Sequence, residues 1–133
     1  MYDCHVHLVF VTKYRRGALN DRLLTRCEQV MSDVCDDFGC SLEEFNGEDD
    51  HVHLMVRFPP TVTLSHLVNS LKGVSARRLR QEFPRHVRRY LWGGHFWSRS
   101  YYIGTCGGAP LEVLARYIAT QRRPDATSDS PPA

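Results

Sequence analysis

Two histidine pairs in this chain share one spelling. His5-Val6-His7-Leu8 and His51-Val52-His53-Leu54 each set two imidazoles two residues apart. Side chains alternate along a β-strand, so both rings of a pair project from one side. Neutral imidazoles so placed are candidate ligands for a divalent metal. Solvated surface histidines are the competing reading of the same spacing. Glu48, Asp49 and Asp50 lead directly into the second pair. They offer oxygen ligands, or carboxylates that orient the imidazoles from behind. Taken singly, each acid reads more plainly as part of a solvated turn. A hard cation such as Mg2+ or Mn2+ in a mixed nitrogen and oxygen site suits phosphoryl transfer.

A second group lies near the other end. Tyr117 and Gln121 are four residues apart and therefore neighbours on one helical face. They flank an apolar stripe of Leu111, Leu114, Ala115 and Ile118. Alone, the tyrosine reads as a packing residue with a wet hydroxyl and the glutamine as a solvated one. Beside a metal, a tyrosine can attack phosphorus and a glutamine offers a carbonyl oxygen. The five cysteines, Cys4, Cys27, Cys35, Cys40 and Cys106, form no CxxC and no zinc-ribbon spacing, and they read as free thiols.

These residues need elements to hold them. Cys4 to Thr12 reads as a strand apolar on both sides, which suits a central position. A basic loop, Lys13 to Gly17, follows. Asn20 caps a helix that runs to Phe38, and Gly39 stops it. Ser41 to Gly47 and His51 to Phe58 read as two more strands, joined by the acidic turn. Thr63 caps a second helix reaching about Phe83. Residues 84 to 97 read as loop-rich. Ser98 to Thr105 is a fourth strand, and Gly107-Gly108 opens a last helix with Pro110 in its first turn. The order β-α-β-β-α-β-α predicts an α+β fold, a ferredoxin-like split βαβ sandwich. Its antiparallel sheet carries helices on one face, and the C-terminal helix holds the tyrosine. In the third strand Val52, Leu54, Val56 and Phe58 should pack under the helices, leaving His51 and His53 on the open face. His5 and His7 should share that face, as ligands or as strand filler. The domain spans residues 1–122, and residues 123–133 read as a disordered tail.

The 133 residues suit one domain, and no apolar run is long enough to cross a bilayer. No secretory signal is visible, so the expected location is the bacterial cytoplasm, near the nucleoid. The net charge is only +2, but it is unevenly spread. Nine acidic residues and no lysine or arginine lie between Glu28 and Asp50, whereas Lys72 to Arg99 holds eight basic residues against Glu82 alone. Such a segment fits a phosphate backbone, and a solvated helix face fits it equally. Its arginines favour forked phosphate contacts.

Five segments together resemble a known family: HLVFVTKYRR (7–16), NGEDDHVHLMVRFPP (46–60), LVNSLKGVSARRLRQEFP (67–84), WSRSYYIG (97–104) and GGAPLEVLARYIATQ (107–121). They are similar, in order and spacing, to the single-tyrosine HUH transposases, the TnpA type of small bacterial insertion sequences. The resemblance implies DNA transposition by cleavage and rejoining of single-stranded DNA, with recognition of hairpins at element ends. It implies that His51 and His53 are the metal-binding HUH pair, Gln121 the third ligand of a divalent Mg2+ or Mn2+, and Tyr117 the nucleophile that forms a 5′-phosphotyrosine. It implies a homodimer whose composite sites take the tyrosine helix in trans. Lys13, Arg15, Arg16 and Lys72 are candidate phosphate contacts. Trp97, Tyr101 and Tyr102 are candidate base-stacking residues, with core packing the plainer role for at least two of them.

Two features depart from the family pattern: little precedes the first strand, and His5 is an extra histidine. A repeat-associated tyrosine nuclease shares the same motifs and is an alternative. So is a non-catalytic ferredoxin-like nucleic-acid-binding protein. A histidine-based metal store or sensor leaves the arginine segment and Tyr117 unexplained.

Overall fold

The computed structural model describes residues 4–91 and 94–105. Strand β1, Cys4–Thr12, carries apolar side chains on both faces and takes an inner position. β2 is Ser41–Gly47, β3 is His51–Phe58 and β4 is Trp97–Thr105. The sheet order is β2-β3-β1-β4, and every neighbouring pair is antiparallel. This is the expected split βαβ arrangement, with β1 and β3 adjacent at the centre.

Register decides which residues form the core. Val6, Leu8 and Phe10 of β1 lie directly opposite Val56, Leu54 and Val52 of β3. All six are buried with Leu23, Cys27 and Met31 of helix α1, Asp21–Asp37, and with Leu67, Val68 and Leu71 of helix α2, Leu64–Glu82. Each such aliphatic side chain contributes about 1.5–3 kcal/mol on burial. Val9 and Val11 are buried too, yet they stand outside this cluster, on the opposite face.

Local chemistry sets the helix ends. The Leu23 amide donates to the Asn20 side-chain oxygen at 2.9 Å, which caps α1. Gly39 adopts φ 75°, and the Cys40 and Gly39 amides return to the Cys35 and Asp36 carbonyls. That left-handed step closes the helix where a side chain would be strained. Thr63 sits at the start of α2, but its side chain makes no capping bond, contrary to the expected cap. Arg26 reaches from α1 to grip both carboxylate oxygens of Glu82 on α2, at 2.7 and 2.9 Å.

The expected loop over residues 84–97 is corrected by a third helix, α3, Pro84–Tyr90. Pro84 pre-sets the first helical dihedral, and Phe83, Val87 and Leu91 recur every fourth residue. Val87 and Leu91 are buried, and His86 Nε2 lies 2.7 Å from the Ala18 carbonyl. The helix is only two turns long, and its arginines outnumber its apolar residues, which hides its periodicity. β4 begins one residue earlier than expected because Trp97 pairs with Thr12 across a register shift. The Trp97 ring packs on Phe10 and Phe96, and its Nε1 donates to Ser75 Oγ at 2.9 Å. Among the described residues, no helix is long and apolar enough to cross a membrane. The expected C-terminal helix with its Gly107-Gly108 opening, Cys106 and the expected tail over residues 123–133 lie outside the described residues.

Candidate active site

The face of the sheet away from the helices gathers the histidines. β3 contributes His51 and His53, and β1 contributes His5 and His7 beside Val9 and Val11. His51 lies opposite Val11, and His53 opposite Val9 on one side and Asn46 of β2 on the other. On the far side of β1, Val9 pairs with Tyr102 and His7 with Gly104. The alternation read from the sequence therefore places both pairs as expected.

The entry into β3 is tightly built. At Gly47 a Cβ would stand 2.7 Å from Leu24 Cδ2 and 2.9 Å from the His51 carbonyl oxygen, so only glycine lets the β2–β3 hairpin close. The Glu48 amide donates to the His51 carbonyl at 2.9 Å. The Thr12 amide donates to the Asp50 carbonyl at 2.9 Å, and its hydroxyl donates to the Arg16 carbonyl at 2.7 Å. The Leu19 amide donates to the Asp49 carbonyl at 2.9 Å. The acidic turn is thereby tied to the end of β1.

Asp50 is 1% exposed, and its Oδ1 lies 2.9 Å from Nδ1 of His51, itself 8% exposed. A carboxylate at Nδ1 holds the proton there and leaves the Nε2 lone pair free to bind. Of the three acids, Asp50 thus takes the orienting role. Asp49 instead lies over Gly17, where a Cβ would meet its carboxylate at 2.9 Å. His53 is half-buried, and burial holds its pKa below the ordinary value; neighbouring His51 and His7 push the same way, against Glu44 and Glu48. A depressed pKa keeps the His53 ring neutral, the form that ligates metal.

Two imidazoles on one strand face, one backed by a carboxylate and the other held neutral by burial, fit a divalent cation. Among the described residues, no group of three His, Cys, Asp or Glu is arranged to hold one ion. The expected third ligand, Gln121, and the expected nucleophile, Tyr117, lie outside the described residues.

The basic candidates separate. Lys13–Arg15 form a 3-10 turn at the end of β1, near the entry to β3. Lys13 Nζ and the Arg16 guanidinium lie 5.2 and 5.3 Å from the Tyr14 ring centre. Tyr14 and Arg15 hold left-handed dihedrals, φ 60° and 55°, a conformation that costs free energy in non-glycine residues. Lys72 lies on α2, across the sheet from the histidines, and donates to the Ser98 and Arg99 carbonyls at 2.8 and 3.3 Å. It anchors α2 to β4. Of the aromatic candidates, Trp97 and Tyr101 belong to the helix-side core, and Tyr102 occupies the histidine face. The Asp50–His51 contact could be found in the sequence only as an acid adjoining the pair; the cations around Tyr14 had no signal beyond their adjacency.

Comparisons with known proteins bear on the family and the fold. Residues 1–121 match the family model described as Transposase IS200 like. The chain is 30% identical to the ISDra2 transposase TnpA of Deinococcus radiodurans over 91% of its length and 86% of that protein's. It is 29% identical to the transposase for insertion sequence element IS200 of Salmonella typhimurium, over 93% of this chain and 80% of that one. Its fold superposes on a candidate transposase from Deinococcus radiodurans R1 with a TM-score of 0.79 and 31% identity, covering 91% and 92% of the two chains. A REP-associated tyrosine transposase bound to a REP hairpin shares the fold alone, with a TM-score of 0.59 and 10% identity. With both the family model and a relative spanning nearly all of it, the chain belongs to the IS200-like transposase family.

Proposed function

We propose that this protein cleaves and rejoins single-stranded DNA at insertion-sequence ends, with Tyr117 as nucleophile and a divalent Mg2+ or Mn2+ held by His51, His53 and Gln121. The observation that carries the reading is the pair itself: His51 oriented by buried Asp50, and His53 kept neutral, on the open face of the sheet. The metal, when bound, supplies positive charge to the scissile phosphate oxygens. Asp50 keeps the His51 proton on Nδ1, so the ring offers Nε2 to the site. Burial keeps His53 in its binding form.

The Tyr117 oxygen attacks phosphorus and the 3′ oxygen departs with its electron pair, leaving a 5′-phosphotyrosine and a free 3′-hydroxyl. Attack by another 3′-hydroxyl reverses the exchange, so rejoining needs no nucleotide hydrolysis. Positioning and charge stabilisation carry this chemistry. The DNA partner is a strand with hairpins near the element ends, a reading supported by the related fold bound to a REP hairpin. Lys13, Arg15 and Arg16, at the rim of the histidine face, are the phosphate contacts in this reading. The active form is a homodimer in which each tyrosine helix serves the partner's histidines.

The test is incubation of the full chain with Mn2+ and single-stranded hairpin oligonucleotides, read on denaturing gels. Wild type should give a covalent protein–DNA product, and Tyr117→Phe should bind the DNA without forming it. An adduct of normal yield from Tyr117→Phe would overturn the assignment. Chelator-insensitive binding with no cleavage under any divalent metal would favour a non-catalytic nucleic-acid-binding protein.

A further inference from the structure

Helix α3 carries charge that the site above does not use. Arg85, Arg88 and Arg89 are all exposed. Their spacing of three and four residues puts them on one side of the helix. Val87 and Leu91 occupy the other side and are buried. Glu82, the one acid between Lys72 and Arg99, is gripped through both carboxylate oxygens by Arg26 and so does not neutralise them. Arg88 and Arg89 lie in the last turn of α3, where a cation suits the helix dipole. Arg85 lies in the first turn, where a cation opposes it, so helix stability does not account for that residue.

α3 is docked beside the histidine site. His86 Nε2 lies 2.7 Å from the Ala18 carbonyl. The adjoining Leu19 donates its amide to the Asp49 carbonyl, and the Lys13 amide donates to the carbonyl of Phe96, between α3 and β4. The helix therefore stands at the end of the sheet where Lys13 leaves β1 and His51 enters β3. It extends the basic rim of Lys13 and Arg16 onto a rigid element. That element offers no ring for stacking. Phe83 and Tyr90 are half-buried against the core, and the Tyr90 ring lies 5.0 Å from that of His86. Single strands are held by cations together with exposed aromatic rings. A duplex hides its base faces and presents closely spaced phosphates, which guanidinium groups alone can grip.

We propose that the outer side of α3, through Arg85, Arg88 and Arg89, binds the sugar–phosphate backbone of duplex DNA, here the stem of a hairpin, without reading its sequence. The inference rests on the proposed hairpin substrate.

The test uses the full chain and three variants: Arg85→Gln/Arg89→Gln, Arg85→Lys/Arg89→Lys and Arg77→Gln/Arg78→Gln, the last removing equal charge from exposed positions of α2. Binding is followed by fluorescence anisotropy in chelator, across a salt series, with a hairpin oligonucleotide, a blunt duplex of unrelated sequence and an unstructured single strand. Arg85→Gln/Arg89→Gln should weaken both the hairpin and the unrelated duplex roughly tenfold and flatten the salt dependence by about two contacts. The single strand should be bound as before. Arg85→Lys/Arg89→Lys should keep the salt dependence, because the charges remain, and Arg77→Gln/Arg78→Gln should change little. Thermal unfolding of every variant should match wild type, since all these side chains are exposed. Unchanged duplex affinity in Arg85→Gln/Arg89→Gln, an equal loss in Arg77→Gln/Arg78→Gln, or a loss confined to the single strand overturns the proposal. Covalent product formation by wild type with Mn2+ separates the two readings. Cleavage beside a silent Arg85→Gln/Arg89→Gln sinks only the α3 assignment, whereas the expected loss of duplex binding in a protein that never cleaves sinks only the strand-transfer reading.

Discussion

His5-Val6-His7-Leu8 and His51-Val52-His53-Leu54 lie on adjacent antiparallel strands, and half of each tetrapeptide behaves identically. Val6 and Leu8 face Val56 and Leu54, Val52 faces Phe10, and all are buried under the helices. The histidine halves diverge. His51 follows Asp50, a buried acid at the strand entry, and its Nδ1 is bound by it. His5 follows Cys4 and finds Glu43, on the edge strand, in a partly exposed contact at 3.4 Å. His53 loses water and stays neutral, and His7 keeps a buried nitrogen without a described partner. Alternation sets which face an imidazole occupies. The residue at its back sets whether that imidazole is a prepared ligand.

The largest expected effect breaks the comparison outright. His51→Ala/His53→Ala should abolish Mn2+ binding and cleavage, measured by calorimetry and denaturing gels, while His5→Ala alone retains both. Core truncation should show the opposite symmetry. Leu8→Ala and Leu54→Ala should each cost about 2–5 kcal/mol in denaturant unfolding, with no systematic difference between copies. Asp50→Asn tests what separates the histidines. It should weaken Mn2+ affinity about 10–100-fold, by removing the charge that orders the His51 proton.

A subtler asymmetry lies in pH. In chelated protein the folded His53 pKa is lowered from 6.5, so the unfolded chain takes up a proton that the folded chain resists. Stability is therefore intact above about pH 6.5 and falls as pH drops below it. His53→Gln should flatten this fall in thermal unfolding measured across pH, and His5→Ala should leave it. The smallest effect belongs to the exposed pair. His5→Ala should change stability by less than about 1 kcal/mol, because a partly exposed polar contact of this kind contributes little even when charged.

Much of the frame was legible from local pattern. The bounds of β1, β2 and β3 follow from alternation and from the glycines and acids between them, and Asn20 and Gly39 mark the ends of α1 by side-chain and dihedral chemistry that operates within a few residues. α3 was not legible, since two turns rich in arginine show only three apolar residues at the right spacing, and their burial depends on α2 and the loop at Ala18. Lys72 illustrates the same limit. Its charge suggested a phosphate, whereas α2 carries it to the carbonyls of Ser98 and Arg99. Trp97 and Tyr101, equally available to stack on bases by composition, are drawn into the core by Phe10.

By itself, then, the sequence determined the strands, the first helix, the open face of each histidine pair and the family, because periodicity and motif spacing are properties of neighbours along the chain. Only the tertiary structure decided what stands behind each imidazole. Asp50 becomes buried at His51 because Thr12, thirty-eight residues away in sequence, pins its carbonyl, and Gly47 lets the hairpin close against Leu24. Burial and charge proximity arise between residues that meet in space, and the same four letters can therefore carry two different electrostatic environments.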